Sequence, residues 1–331
     1  MNLKSALSAL TLSLLATSAF AQSKPAVTFD VGGKFDKSFN EAAYHGAEAF
    51  KKKTGIAYRE FEIQNDAQRE QALTRFARDG NDPIIVIGFS NGSALKKVAA
   101  EFPKTRFTII DDVIDLPNVQ SIVFKEHEGS YLVGLLAAKA SKSGKVGFVG
   151  GMDIPLIRKF ACGYVQGVKA GNASAEIFQN MTGTTGAAFN DPVKGGELAK
   201  AQIGRGADVV YHAAGGTGAG VLRATADAGK LGIGVDSNQN HLHPGKILTS
   251  MLKRVDVAVE KALTDANGTA WKAGVTVLGL AEGGVGWADD EHNKALVTAD
   301  MRAAVDKATA DIKSGAVKVH DYMSDQKCPV Q

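Results

Sequence analysis

From Ala26 to Phe124 this chain alternates short apolar runs with longer amphipathic ones, and no other feature constrains its fold more. The runs at 26–29, 57–63, 84–89, 107–110 and 119–124 are strand-like, and the stretches around 41–53, 67–78 and 92–102 have helical periodicity. Neighbouring parallel strands need a crossover, and a helix is the usual one, so this pattern calls for a parallel sheet. The unbroken Ile84-Ile85-Val86-Ile87 suits a strand covered on both faces. A second alternation fills the rest, with helices expected at 130–140, 155–171, 192–204, 218–228, 255–264 and 298–314. Strands are expected at 145–149, 176–179, 208–212, 232–235, 246–250 and 275–280. A mature length of about 310 residues exceeds what one core usually serves. The expected class is therefore α/β, with two Rossmann-like lobes facing a cleft and hinges near Pro117-Asn118 and Gly283–Gly286.

The chain starts with Lys4 ahead of a short apolar run and then Ala19-Phe20-Ala21-Gln22, which reads as an export signal over 1–21, cleaved after Ala21. It is too short for a membrane span. With no Cys at that junction, a soluble periplasmic protein without a lipid anchor is expected. The net charge of +3, with both signs interspersed, argues against a nucleic-acid or membrane patch. Cys162 and Cys328 are the only cysteines, and an oxidising compartment lets them pair. A bridge stapling the tail to the helix at 155–171 is expected, two free thiols being the alternative.

Ligands of such sheets sit beyond the carboxyl ends of the strands. Asp30-Val-Gly-Gly-Lys-Phe-Asp-Lys-Ser-Phe-Asn40 occupies such a place and is richer in polar and aromatic groups than a turn requires. Asp111 and Asp236 each end an apolar run, where a carboxylate can accept two sugar hydroxyls or simply cap a turn. Lys253 could pair with such a carboxylate or lie on the surface. Phe39 and Tyr211 could hold a flat ligand between them or belong to the core. Ala213-Ala-Gly-Gly-Thr-Gly-Ala-Gly220, with Asp236 downstream, imitates a dinucleotide fingerprint, but Val221 stands where its third Gly belongs. No nucleophile elbow, zinc-protease or phosphate-loop motif occurs, so no reaction, metal or cofactor is expected. Asp289-Asp290-Glu291-His292 could bind a cation, but reads more simply as a solvated helix cap.

The loop at 30–40, Glu128-Gly129-Ser-Tyr-Leu-Val-Gly134, Val146-Gly-Phe-Val-Gly-Gly-Met152, Ala214-Gly-Gly-Thr-Gly218, Ile233-Gly-Val-Asp236 and Leu248-Thr-Ser-Met-Leu-Lys-Arg254 form an ordered set. Together they resemble the basic membrane protein family of periplasmic binding proteins, which includes bacterial purine nucleoside receptors. The resemblance implies a type I binding-protein fold of two lobes joined by three crossings. One lobe would comprise 22–125 with about 237–282, the other 126–236 with about 283–331. It further implies that Phe39 stacks on a base, with Tyr211 on the opposite wall. Asp30 and Asn40 would lie near the base edge, and Asp111 would be a cleft carboxylate. Asp236 and Lys253 would hold ribose, and Gly216 would let backbone approach the ligand. The implied partners are a purine nucleoside or related base and an ABC permease of the inner membrane, with the receptor itself a monomer and not an enzyme. Tyr211 in place of the usual Phe, and His212 in place of a common Gln, leave room for a free nucleobase or a flavin instead.

Overall fold

The structure, a computed structural model, describes residues 23–330, so the export signal lies outside the described residues. In chain order the first elements are β1 (Ala26–Phe29), α1 (Phe39–Thr54), β2 (Arg59–Glu62), α2 (Ala67–Arg78), β3 (Ile84–Ile87), α3 (Gly92–Glu101), β4 (Phe107–Ile110) and β5 (Val119–Phe124). Then come α4 (Glu126–Ala140), β6 (Lys145–Met152), α5 (Pro155–Gly171), β7 (Glu176–Gly183), α6 (Pro192–Gly204), β8 (Val209–Ala213), α7 (Gly218–Asp227) and β9 (Leu231–Asp236). The last are β10 (Ile247–Lys253), α8 (Val255–Asn267), β11 (Gly274–Leu278), β12 (Val285–Trp287) and α9 (Ala299–Ser314).

The strands form two six-stranded sheets, ordered β11-β5-β4-β3-β1-β2 and β12-β10-β9-β8-β6-β7. Among the described residues, every pairing of these strands is parallel except β10 with β12, where Met251 faces Trp287. The fully buried β1, β3 and β4 are apolar throughout apart from a Thr in β1 and in β4, as strands covered on both faces should be. The chain passes between the sheets three times, after Phe124, after Lys253 and after Leu278.

Three details differ from the sequence reading. The sequence reading puts β10 with the first lobe, within 237–282, but it pairs with β9 in the second sheet, so the return passage begins at Arg254. Its apolar alternation fits either sheet; only the long-range pairing decides. Pro117-Asn118 is no crossing, because β4 and β5 on either side of it are neighbours in one sheet. The Asn118 amide donates to the carbonyls of Ala99, Phe102 and Thr105, which makes this connection a brace. Finally, the Gly283–Gly286 loop contains the start of β12, too short and too Gly-rich to carry a strand signal alone.

Candidate ligand cleft

At the carboxyl edge of β1 the chain turns through 31–38 into α1, and Asp36 explains why it can. Its buried carboxylate accepts from the backbone N–H groups of Ser38 at 2.8 Å, Asn40 at 3.0 Å and Glu41 at 3.1 Å, meeting the open donors of the first helical turn. Burial pushes its carboxyl up, and those hydrogen bonds oppose the shift. Asn40 braces the same loop: its Oδ1 accepts from Asp30 N at 2.9 Å and its Nδ2 donates to Asp36 at 3.2 Å. Asp30 is fixed by Arg69, whose Nη1 lies 2.6 Å from Asp30 Oδ1. Gly88 must be glycine here, since its φ is +99° and a Cβ would stand 2.3 Å from Asp30 Oδ2.

Asp111 follows β4 and Asp236 is the last residue of β9, in the other sheet, and the two share an uncommon backbone, with φ of 74° and 62°. Left-handed conformations cost a non-glycine residue, least for Asp and Asn, and they gather at functional sites. Lys253, the last residue of β10, is 2% exposed and lies 2.6 Å from Asp111 Oδ2. It is also 2.9 Å from Glu126. Its ammonium stands about 5 Å from the ring centroids of Phe39 and Phe124 and 5.5 Å from that of Phe160, a cation–π setting. Burial works against charge on Lys253, but Asp111, Glu126 and Asp236 outweigh it and raise the ammonium above its ordinary value. Burial raises Asp236 to about 7 despite Lys253 nearby. Asp111 is likewise pushed up by burial, with Lys253 opposing. One Asp236 oxygen accepts from Ser38 Oγ at 2.5 Å, while Asp111 Oδ1 is buried with no hydrogen-bond partner among the described residues.

These groups converge on a cleft with about 580 Å³ of free space, its open mouth included. Of the eight expected ligand residues, Asp30, Phe39, Asn40, Asp111, Asp236 and Lys253 line it. Tyr211 does not. Side chains alternate along β8, and Tyr211 points to the helical face, where it is fully buried against Phe148 and Tyr164. Its hydroxyl lies 3.2 Å from Ser130 Oγ of α4. Gly216 is not among the lining residues either: a Cβ there would meet the Phe189 carbonyl, Asn190 and Asp36, and it is Gly215 that lines the cleft.

The aromatic surface apart from Phe39 comes from Phe89, Phe160 and Phe189, none singled out from sequence. Phe89 follows β3 at the same strand edge as Asp30, a signal that could have marked it. Phe160 belongs to the apolar stripe of α5, which hides it among core positions. His212 is buried and bonded to Gln239, and burial lowers it to about 4, so it stays neutral. In the 289–292 cluster, Asp289 pairs with Arg302 and Asp290 accepts from Asn238 and Asn240, a structural use. Among the described residues, no group of three or more His, Cys, Asp or Glu is placed to hold a metal. Cys162 and Cys328 are bonded, tying the tail to α5.

Two six-stranded α/β sheets with three passages between them are the type I periplasmic binding fold, the architecture of ABC solute-binding proteins. A solute-binding protein of Aeropyrum pernix superimposes with a TM-score of 0.83 at 31% identity, covering 89% of this chain and 92% of that one. The chain belongs to the Bmp family, ABC transporter substrate-binding proteins described as PnrA-like, whose model matches residues 24–321. A relative from Lactococcus lactis subsp. cremoris, named ABC transporter nucleoside-binding protein BmpA, is 33% identical over 89% of this chain and 88% of its own length. Proteins of this class bind small molecules and hand them to a permease.

One expectation is corrected by these relatives. A relative from Pyrococcus furiosus, 37% identical over 80% of this chain and 69% of its own length, is named a lipoprotein, as are those of two other Pyrococcus species. These names count against the expectation of a protein free in the periplasm.

Proposed function

We propose that this protein binds a purine nucleoside between its two lobes and delivers it to an ABC permease. The observation that carries the reading is the pairing of the Phe39 face with the Asp236–Lys253–Asp111 cluster in one cleft. A base requires a flat apolar wall, and ribose requires acceptors beside a cation. Phe39 offers the first, with Phe89, Phe160 and Phe189 in place of Tyr211 on the other walls. Asp236 and the unpartnered Asp111 Oδ1 are acceptors for ribose hydroxyls, and Lys253 is the donor. Buried polar groups of this kind select strongly, because a ligand lacking the hydroxyl leaves them unpaired. The relative named nucleoside-binding supports the same ligand class. Closure of the lobes over the ligand would then present one conformation to the permease.

The test is a thermal-shift screen of refolded protein against guanosine, inosine, adenosine, their free bases, riboflavin and ribose. A ligand that binds only the native state raises the melting temperature by mass action. Large shifts with nucleosides and much smaller ones with the free bases, which lack the ribose contacts, are expected. Shifts with bases or riboflavin alone would replace the ligand, and no shift at all would overturn the reading.

A further inference from the structure

Glu126 opens α4 at the first passage between sheets and is fully enclosed; Lys159, on α5, is 6% exposed. Neither is among the residues lining the ligand cleft, yet both are ionic and a deeply buried charge persists only when paired. One Glu126 oxygen lies 2.9 Å from Lys253 Nζ, and the other lies 2.8 Å from Lys159 Nζ. Lys159 also donates to the Phe124 carbonyl at 2.6 Å. With Asp111 on the far side of Lys253, the charges alternate along one buried row. Burial would push Glu126 up, but Lys253 and Lys159 overrule it and hold its carboxyl below the ordinary range.

We propose that Glu126, held in turn by Lys159, is the positioning residue that fixes Lys253 in the cleft, although it never touches the ligand. The inference rests on the nucleoside reading above, in which Lys253 contacts ribose. Two features distinguish it from mere charge neutralisation. Lys253 has three donors, hydrogen-bonds Asp111 Oδ2 and stands 2.9 Å from Glu126 Oε1, so its ammonium keeps donor capacity for a ligand in the cleft it lines. Moreover, Asp111 ends a strand of the first sheet, whereas α4 packs on β10, the strand that carries Lys253. When the lobes part, Asp111 leaves with the first sheet and Glu126 remains with Lys253. The cation is thereby aimed before the ligand arrives, which reduces the ordering cost of binding.

Titration calorimetry of wild type, Glu126→Gln, Glu126→Asp and Lys159→Met with inosine and with hypoxanthine tests this. For Glu126→Gln, inosine affinity should fall roughly ten- to a hundredfold while hypoxanthine stays within about twofold, as when an outer partner of a binding group is removed. Glu126→Asp should recover part of the loss. If Glu126→Gln fails to fold, Lys159→Met keeps the Glu126–Lys253 pair and should show a smaller loss, again confined to inosine. Equal losses for both ligands, or none for either, with wild type binding inosine, would overturn the positioning role and leave the nucleoside reading intact. A wild type that ignores inosine would overturn both.

Discussion

Phe39 is the residue on which a stacked base depends most. Its ring forms one wall of the cleft and stands 5.1 Å from the Lys253 ammonium. In Phe39→Ala the ligand loses an aromatic face, and calorimetry with inosine should show about 2–4 kcal/mol less binding energy, the range of a hot-spot aromatic. Asp236 gives a second, independent check through pH. Its carboxyl is raised from an ordinary 3.8 to about 7 by burial. The stability it contributes is therefore full below about pH 4 and is lost as the pH climbs through 7. The unliganded protein should lose melting temperature relative to Asp236→Asn over that window. Inosine affinity should move oppositely, rising from pH 6 to pH 8, because hydroxyls donate to the ionised carboxylate. Asp111 and Asp236 were visible in sequence because a carboxylate ending an apolar run is conspicuous. Tyr211 misled because residue type says nothing about which side of a strand it faces. Only sheet pairing and the helices above decide that, and here α4 and α5 claim it.

Between elements, the distance from Lys159 to Glu126 is governed by how closely α5 lies on α4. A Cβ on Gly167 would sit 2.0 Å from the Tyr131 carbonyl oxygen, and one on Gly163 would sit 2.4 Å from that of His127. Both obstacles are backbone, which cannot rotate away. Gly167→Ala should thus cost roughly 1–3 kcal/mol, as overpacking does, with a lower urea midpoint as the measurement. Affinity for inosine should drop with it, because the seam holds the partners of Lys253. The helices themselves were legible from their 3.6-residue stripe, and the buried strands from their unbroken apolar runs. The glycine seam was not, because glycine inside a helical pattern reads as a weakness until its neighbour is known. For the same reason the sheet membership of β10 escaped: strand type is local, but pairing is a property of the whole chain.

On the scale of the whole molecule, a few side-chain bonds link the two halves across the cleft. Ser38 occupies the start of α1, where a hydroxyl ordinarily caps the helix, yet it makes no such bond. Asp36 carries the capping, which frees the Ser38 hydroxyl for Asp236 in the second lobe. Alongside it, Ser237 Oγ donates to the Ser38 carbonyl, and Gln239 Nε2 donates to that of Lys37, each at 2.9 Å. Lys253 with Asp111 is a further link. Removing one such bond should shift the balance toward the open form without harming the cap. When the binding-competent form is only partly populated, apparent affinity falls in proportion to that fraction. Ser38→Ala should therefore keep the wild-type circular dichroism while its radius of gyration, measured by small-angle scattering without ligand, becomes larger. Saturating inosine should bring that radius back to the wild-type value. An unchanged radius in the variant would mean that the loop at 36–38 rides with the second lobe, and that closure is governed by Lys253 and Asp111 alone.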